Sequence, residues 1–345
     1  MKTSKVFLVC LIAFMFFCMI YLFKPFLLTM AIGILIAVAT SNLHLRVLKF
    51  TNFKKTLSAT ITTFILCVLF FLPFIYAIIM LTKNAMSFDT SHITVLIDFI
   101  RHFDYSNLPK PLAQFESNIQ AFFAEFDIVG FSKQIINYLS NIAKNSAKFI
   151  FDMFLIVIFY FFTHLYGKDL LRFVKKSTPM SSKQINNIFN ETANTMSVVF
   201  YSTIFNAILQ GFLFSIIAGI YGHDAILFGI VFAFSSLIPA VGGALVYVPT
   251  ALYELTQANV SGMITILIYC FIMISIIADS IIKPLAIKFI NTKLVTHPTN
   301  INSLLIFFAM LAGISTFGFW GVILGPAILT LFIALLKIYA NLKNG

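Results

Sequence analysis

Charge is scarce in this chain: 10% of its 345 residues are charged, and only 12 are Asp or Glu against 23 Lys or Arg. A soluble domain carries about 25% charged residues. A chain this poor in them, and 60% hydrophobic, cannot clothe a single core in a water-wetted surface. Its mean hydropathy of +0.98 requires most of the apolar surface to face lipid, which excludes a cytosolic globule. Cysteine is nearly absent: Cys10, Cys18, Cys67 and Cys270 all fall in apolar runs without a CxxC pair, so neither a disulfide framework nor a zinc site is expected. The six histidines are too scattered for a metal site, and no cofactor is indicated. HExxH, a Ser nucleophile on a Gly-rich elbow, the paired Asp of an intramembrane protease and a P-loop are all missing. Those absences argue against an enzyme and against ATP hydrolysis by the chain itself.

What is present is a series of long apolar runs separated by short basic segments. A net charge of +11 and a pI of 9.5 would suggest nucleic acid in a soluble protein, but the cations here cluster between apolar runs, as cytoplasmic loops do under the positive-inside rule. No nucleic-acid partner is expected. Lys2 and Lys5 followed by an apolar run resemble a signal peptide, yet the run 6–23 is too long for one and a second run, 26–40, follows at once. The pair reads as a helical hairpin joined at Lys24-Pro25, with Pro25 in the first turn of the second helix. The loop 41–55 carries Arg46, Lys49, Lys54 and Lys55 without an acid. A third helix, 56–81, should be kinked by Pro73.

From 83 to 148 the composition changes, with six Lys or Arg balanced by six Asp or Glu. This is read as a periplasmic insert of amphipathic helices, one through Ile93, Leu96, Ile97 and Ile100 and another through Phe115, Ile119, Phe122 and Phe123, with Pro109 and Pro111 between them. The fold expected is all-α: a polytopic helical membrane protein of 7–8 segments. Its organisation is N-terminal helices over 1–82, the insert over 83–148 and a C-terminal transport region over 149–345. The fourth helix, 149–166, returns inward to Lys168, Arg172, Lys175, Lys176 and Lys183, and the fifth, 197–221, emerges at Gly222-His223-Asp224. Placed so, 16 of the 23 Lys and Arg lie on the cytoplasmic side with both termini.

The region 225–253 is apolar but broken at Pro239, Gly242 and Gly243 and again at Pro249. One continuous crossing would send the next helix, 262–282, to deliver Lys283, Lys288 and Lys293 outside, against the charge rule, so the region crosses twice or not at all. Two half-helices meeting near Pro239 satisfy this, and broken backbone at membrane depth is tolerated only where protein buries it or it lines a cavity. A second Gly/Pro cluster, Gly318, Gly321, Gly325 and Pro326, separates the last two runs, 301–317 and 321–339. Both clusters could offer free backbone groups to a polar solute, or serve only close helix packing. Gly242-Gly243-(x5)-Pro249-(x2)-Leu252 loosely echoes Phe319-Trp320-(x5)-Pro326-(x2)-Leu329.

Ionisable residues in apolar runs are costly and therefore point to function. Asp279 and Lys283, at i and i+4, can pair on one helix face, as a helix-end anchor or as a substrate or cation site. Glu254 and Asp224 flank the broken region, as solvated helix ends or as part of an ion path. Asp152 and His164 in the fourth helix read as residues snorkelling to the interface.

At these positions the sequence resembles the autoinducer-2 exporter family of bacterial inner-membrane proteins. The resemblance is carried by Ser235-Ser236-Leu237-Ile238-Pro239-Ala240-Val241-Gly242-Gly243 with Pro249, by Asp279 with Lys283-Pro284, by His297-Pro298, and by Phe317-Gly318-(x2)-Gly321-(x3)-Gly325-Pro326. It implies a permease-like secondary or gated transporter, a homo-oligomer, exporting a small polar quorum-sensing signal across the inner membrane. Some members are described as sodium or lithium/proton antiporters, so the alternative of cation/proton antiport stands beside export, as does a non-transporting membrane scaffold. On the export reading, Pro239, Gly242, Gly243, Pro249, Gly321, Gly325 and Pro326 line the solute path, and Asp279, Glu254 and Lys283 are the ion-coupling candidates.

Overall fold

The computed structural model describes residues 2–86, 128–178, 180–239, 241–257, 259–293 and 303–343, which are helices and the turns between them, with no strand. The helices are α1 (Lys2–Phe23), α2 (Leu27–Ala39), α3 (Ser41–Phe50), α4 (Lys55–Leu66), α5 (Leu72–Met86), α6 (Ile128–Ser177), α7 (Ser182–Ile220), α8 (Ala225–Ser235), α9 (Ala244–Thr256), α10 (Val260–Tyr269), α11 (Lys283–Lys293), α12 (Ser303–Phe317) and α13 (Gly321–Lys343). Among the described residues, six stretches are long and apolar enough to cross a bilayer, or seven if the bent pair α2–α3 is one span. The molecule is a multi-pass helical membrane protein. The amphipathic runs expected within 93–123 and the motif His297-Pro298 lie outside the described residues.

Two helices widen just before a proline. Cys67–Phe71 is a π-helical turn between α4 and α5, and Cys270–Ile282 is π-helical between α10 and α11. In each case a proline, Pro73 or Pro284, stands second in the helix that follows. Proline has no N–H and its ring clashes with the carbonyl four residues back, and a π turn accommodates this without ending the helix. The kink expected at Pro73 is therefore a widened turn. The helix expected over 262–282 likewise runs on to Lys293.

Other elements are longer or more ordered than their sequence suggested. The fourth helix is not 149–166 but the 50-residue α6, which absorbs 128–148 and the basic segment through Lys176. The loop 41–55 is mostly helical, since α3 bends 62° from α2. The turn after α3 places Asn52 and Phe53 at φ 52° and 63°. Pro25 precedes α2 in a turn and does not enter it. α7 begins with a reciprocal capping box: the Ser181 N–H donates to Gln184 Oε1 at 2.9 Å and the Gln184 N–H to Ser181 Oγ at 3.2 Å.

The chain forms two compact units, one of Met1–Val68, Ile150–Phe200 and Asn291–Gly345, the other of Leu69–Phe149 and Tyr201–Ile290. These units cut across the sequence segments 1–82, 83–148 and 149–345, because returning helices bring distant segments together. In the first unit α12 and α13 fold back at the short turn Gly318–Trp320, where Gly318 has φ 63°. They pack almost backbone to backbone: a Cβ on Gly325 would collide with the Ala309 carbonyl, and one on Gly321 with that of Gly313. In the second unit the core is built on Phe214 and Phe232, fully buried and stacked at 4.5 Å, with Ile266, Ile274, Val246 and Ala251 around them. In lipid such contacts act through packing, not through expulsion of water, and a ring stack contributes about 0.5–1.5 kcal/mol.

Candidate functional site

The second unit contains the broken region. α8 has 11 residues and α9 has 13, about 17 and 20 Å at 1.5 Å per residue. Each is shorter than the hydrocarbon core of about 30 Å, so the pair has the dimensions of a re-entrant hairpin and not of two crossings. Asp224 caps α8, accepting from the Ile226 and Leu227 N–H groups at 3.1 and 3.0 Å. The link holds Pro239 and closes on Gly242, whose N–H donates to the Ile238 carbonyl at 3.1 Å. Only glycine fits at 242, since a Cβ there would strike the carbonyls of Ser235 and Ile238. Gly243 lies against the Phe232 ring, where a Cβ would meet Cζ at 3.0 Å.

Pro249 lies inside α9 and has no N–H for the Leu245 carbonyl one turn back. Leu245 and Pro249 both line a cavity of about 310 Å³ that also includes His223, Val246, Thr250 and Tyr253. Leu245, one turn before the proline, and the His223 imidazole are thus both at this space. A second cavity of about 340 Å³, lined by Phe70, Gly211, Gly229 and Phe234 among others, is apolar.

Glu254, one of the coupling candidates, is not a solvated helix end: it is only 6% exposed. His223 Nε2 donates to its Oε1 and Asn259 Nδ2 to its Oε2, both at 2.8 Å. Asn259 in turn caps α10, its Oδ1 accepting from the Gly262 N–H at 2.9 Å. One carboxylate thus ties the turn after α7 and the end of α9 to the start of α10. A buried carboxylate is tolerable only with this degree of satisfaction.

Asp279 and Lys283 do pair, at 3.4 Å, with side chains 42% and 44% exposed. Asp279 has a second partner, Asn206, whose Nδ2 donates to Oδ1 at 3.3 Å. Asn206 Oδ1 is buried without a hydrogen-bond partner among the described residues. It belongs to a buried polar stripe on α7, Ser202, Asn206 and Gln210. The i, i+4, i+8 spacing of those three residues in an apolar run is the sequence signal that would have found them. His223 and Asn259 had no comparable signal.

Pro239, Gly242, Gly243, Pro249, Glu254, Asp279 and Lys283 all belong to the second unit, whereas Gly321, Gly325 and Pro326 belong to the first. The expected turn at 321–326 is the opening of α13, its glycines pressed on α12 and its proline inside the helix. His164 is no snorkelling residue: its ring stacks on His44.

A profile of the AI-2E family of transporters matches residues 8–341. The chain is 32% identical over 326 residues to a Helicobacter pylori protein, covering 94% of this chain and 93% of that one. It is 24% identical over 306 residues to an Aquifex aeolicus protein, covering 83% and 82%. Both relatives are named for a transport role that is not established. Over nearly its whole length, this chain belongs to the AI-2E family of membrane transporters.

Proposed function

We propose that the protein exports a small polar organic solute of the autoinducer-2 kind across the bacterial inner membrane, as a secondary or gated transporter without ATP hydrolysis. It works as a homo-oligomer with both termini in the cytoplasm. The observation that supports this reading is the α8–α9 hairpin, two helices too short to span, meeting in a turn and bordering a cavity lined by His223, Leu245 and Pro249. Backbone of this kind at membrane depth offers a solute hydrogen bonds that a continuous helix withholds. Glu254, with its partners on both sides of α9, holds the hairpin shut at its open end, and solute passage requires that clamp to loosen.

A second reading, cation/proton antiport, is favoured by the Asn206–Asp279 pair. A buried amide oxygen without a partner, next to a carboxylate, is a donor set for a hard monovalent cation. Proteoliposomes holding the purified protein discriminate the two. Flux of labelled autoinducer-2 without cation-dependent proton movement supports export. Proton movement driven by sodium or lithium pulses, without solute flux, supports antiport. Silence in both assays overturns transport in favour of a membrane scaffold.

A further inference from the structure

The first unit contains a buried polar cluster that the transport reading does not use. It forms at the 62° bend between α2 and α3. His44, on α3, is only 8% exposed, and its ring stacks on that of His164, on α6, with centroids 4.2 Å apart and planes 20° from parallel. Thr40, at the bend, and the fully buried Tyr160 complete the contact.

The hydroxyl protons determine which tautomer each ring adopts. The single proton of Thr40 goes to the Ile36 carbonyl at 2.8 Å. Toward Tyr160 OH at 2.9 Å and His164 Nε2 at 3.3 Å, Thr40 Oγ1 is therefore an acceptor. His164 carries its hydrogen on Nε2. Thr62 gives its proton to the Ser58 carbonyl at 2.7 Å, so it accepts from His44 Nδ1 at 3.3 Å. Ser58 Oγ lies 3.4 Å from both the His44 carbonyl and His44 Nδ1; with its one proton on the carbonyl it, like Thr62, accepts from the ring. His44 carries its hydrogen on Nδ1. Two lone pairs remain, on His44 Nε2 and His164 Nδ1, and no described residue donates to either.

Among the described residues, no carboxylate pairs with either ring. Lys168 stands one turn beyond His164 on α6. Arg46 and Lys49 on α3 and Lys55 on α4 are exposed cations, and α2 has no titratable residue. On α6, Asp169 is paired with Arg172 at 3.2 Å, and Asp152 lies twelve residues before His164, about 18 Å of helix rise. Glu191 on α7 stands six residues, about 9 Å, before Ser197, the residue whose Oγ reaches the Ala39 carbonyl. α13, packed on α2, has no charge before Lys337.

We infer that His44 and His164 form a site for one proton, which is taken up as the α2–α3 bend parts from α6, and that this proton is the coupling ion of the transport proposed above. The coupling role rests on that transport reading; the proton site does not. A second charge 4.2 Å away would be disfavoured roughly a thousandfold at an effective dielectric of about 20. With cations and no acid nearby, the packed arrangement is the deprotonated one. Protonation separates the rings at Thr40 and hydrates them.

The test uses the full chain in lipid nanodiscs with ¹⁵N-labelled histidine, titrated from pH 8 to pH 5. At pH 8 the spectra should show His44 protonated on Nδ1 and His164 on Nε2. As the pH falls the two rings should take up one proton between them. Amide exchange over residues 40–46 and 160–166, corrected for its intrinsic pH dependence, should then rise at least tenfold. H44Q and H164Q combined should remove that uptake, and in proteoliposomes each single variant should reduce the pH dependence of flux at least tenfold. Independent uptake of two protons, or none by pH 5, overturns the site. An unchanged flux profile in both variants overturns the coupling role while leaving transport intact. Absence of any flux at any pH, with the titration as described, overturns the transport reading and the coupling role with it, and leaves the proton site standing.

Discussion

The two helical hairpins carry the same proline and use their glycines for opposite purposes. Pro249 is the sixth residue of α9 and Pro326 the sixth of α13, so the loose echo in the sequence falls at equivalent helical positions. In each helix a nearby threonine bonds back to a carbonyl four residues earlier, Thr250 to Val246 at 2.8 Å and Thr330 to Pro326 at 2.6 Å. The difference lies at the joint. In the first unit the turn is three residues, and Gly313, Gly321 and Gly325 press α12 against α13. In the second unit α8 and α9 are separated by residues 236–243, Gly242 shapes the turn, and the far end is held by the hydrogen bonds of Glu254 to His223 and Asn259. Glycine at a packing face closes a hairpin along its length. Glycine in the turn leaves the arms to be joined by side chains, and such a joint can be released.

Removing the clamp should have the largest effect. Glu254→Ala leaves His223 and Asn259 without their shared partner, and each hydrogen bond to a charged group contributes about 1.5–3 kcal/mol. Thermal unfolding in detergent should record a fall of that order, with a smaller one for Glu254→Gln. Next come the glycines. Gly242→Ala and Gly325→Ala should each cost about 1–3 kcal/mol through forced backbone shifts, but only G242A should also reduce flux per folded molecule. Equal flux losses in both would dissolve the contrast between the hairpins. Asp279→Asn should change stability by less than about 1 kcal/mol, because its ion pair is partly exposed and screened. Flux, or its cation dependence, should nevertheless drop at least tenfold. Smallest of all is Arg172→Ala in the exposed pair with Asp169, expected within about 0.5 kcal/mol in the same unfolding assay.

Much of the fold was legible in the residue order. Apolar runs and Lys/Arg clusters located the crossings, and Pro239 with Gly242 and Gly243 marked the broken region, because a proline and a tight glycine turn leave local signals. The ends of α6 were not legible. Hydropathy marks where a helix can sit in lipid, not where it ends. In the candidate site, the i, i+4 pairing of Asp279 with Lys283 was readable as helix geometry. The partners His223, Asn259 and Asn206 were not identified, since they come from other helices. His164 was misjudged for the same reason: a lone histidine in an apolar run says nothing about the His44 ring stacked on it.

The sequence by itself determined that this is a multi-pass membrane protein with a break near Pro239 to Gly243, because hydropathy, charge asymmetry and proline geometry act over neighbouring residues. Only the tertiary structure decided which glycines turn and which pack, that Glu254 is buried between His223 and Asn259, and that two histidines 120 residues apart share one contact. Each of those depends on backbone approach between helices, and no local pattern encodes how closely two helices meet.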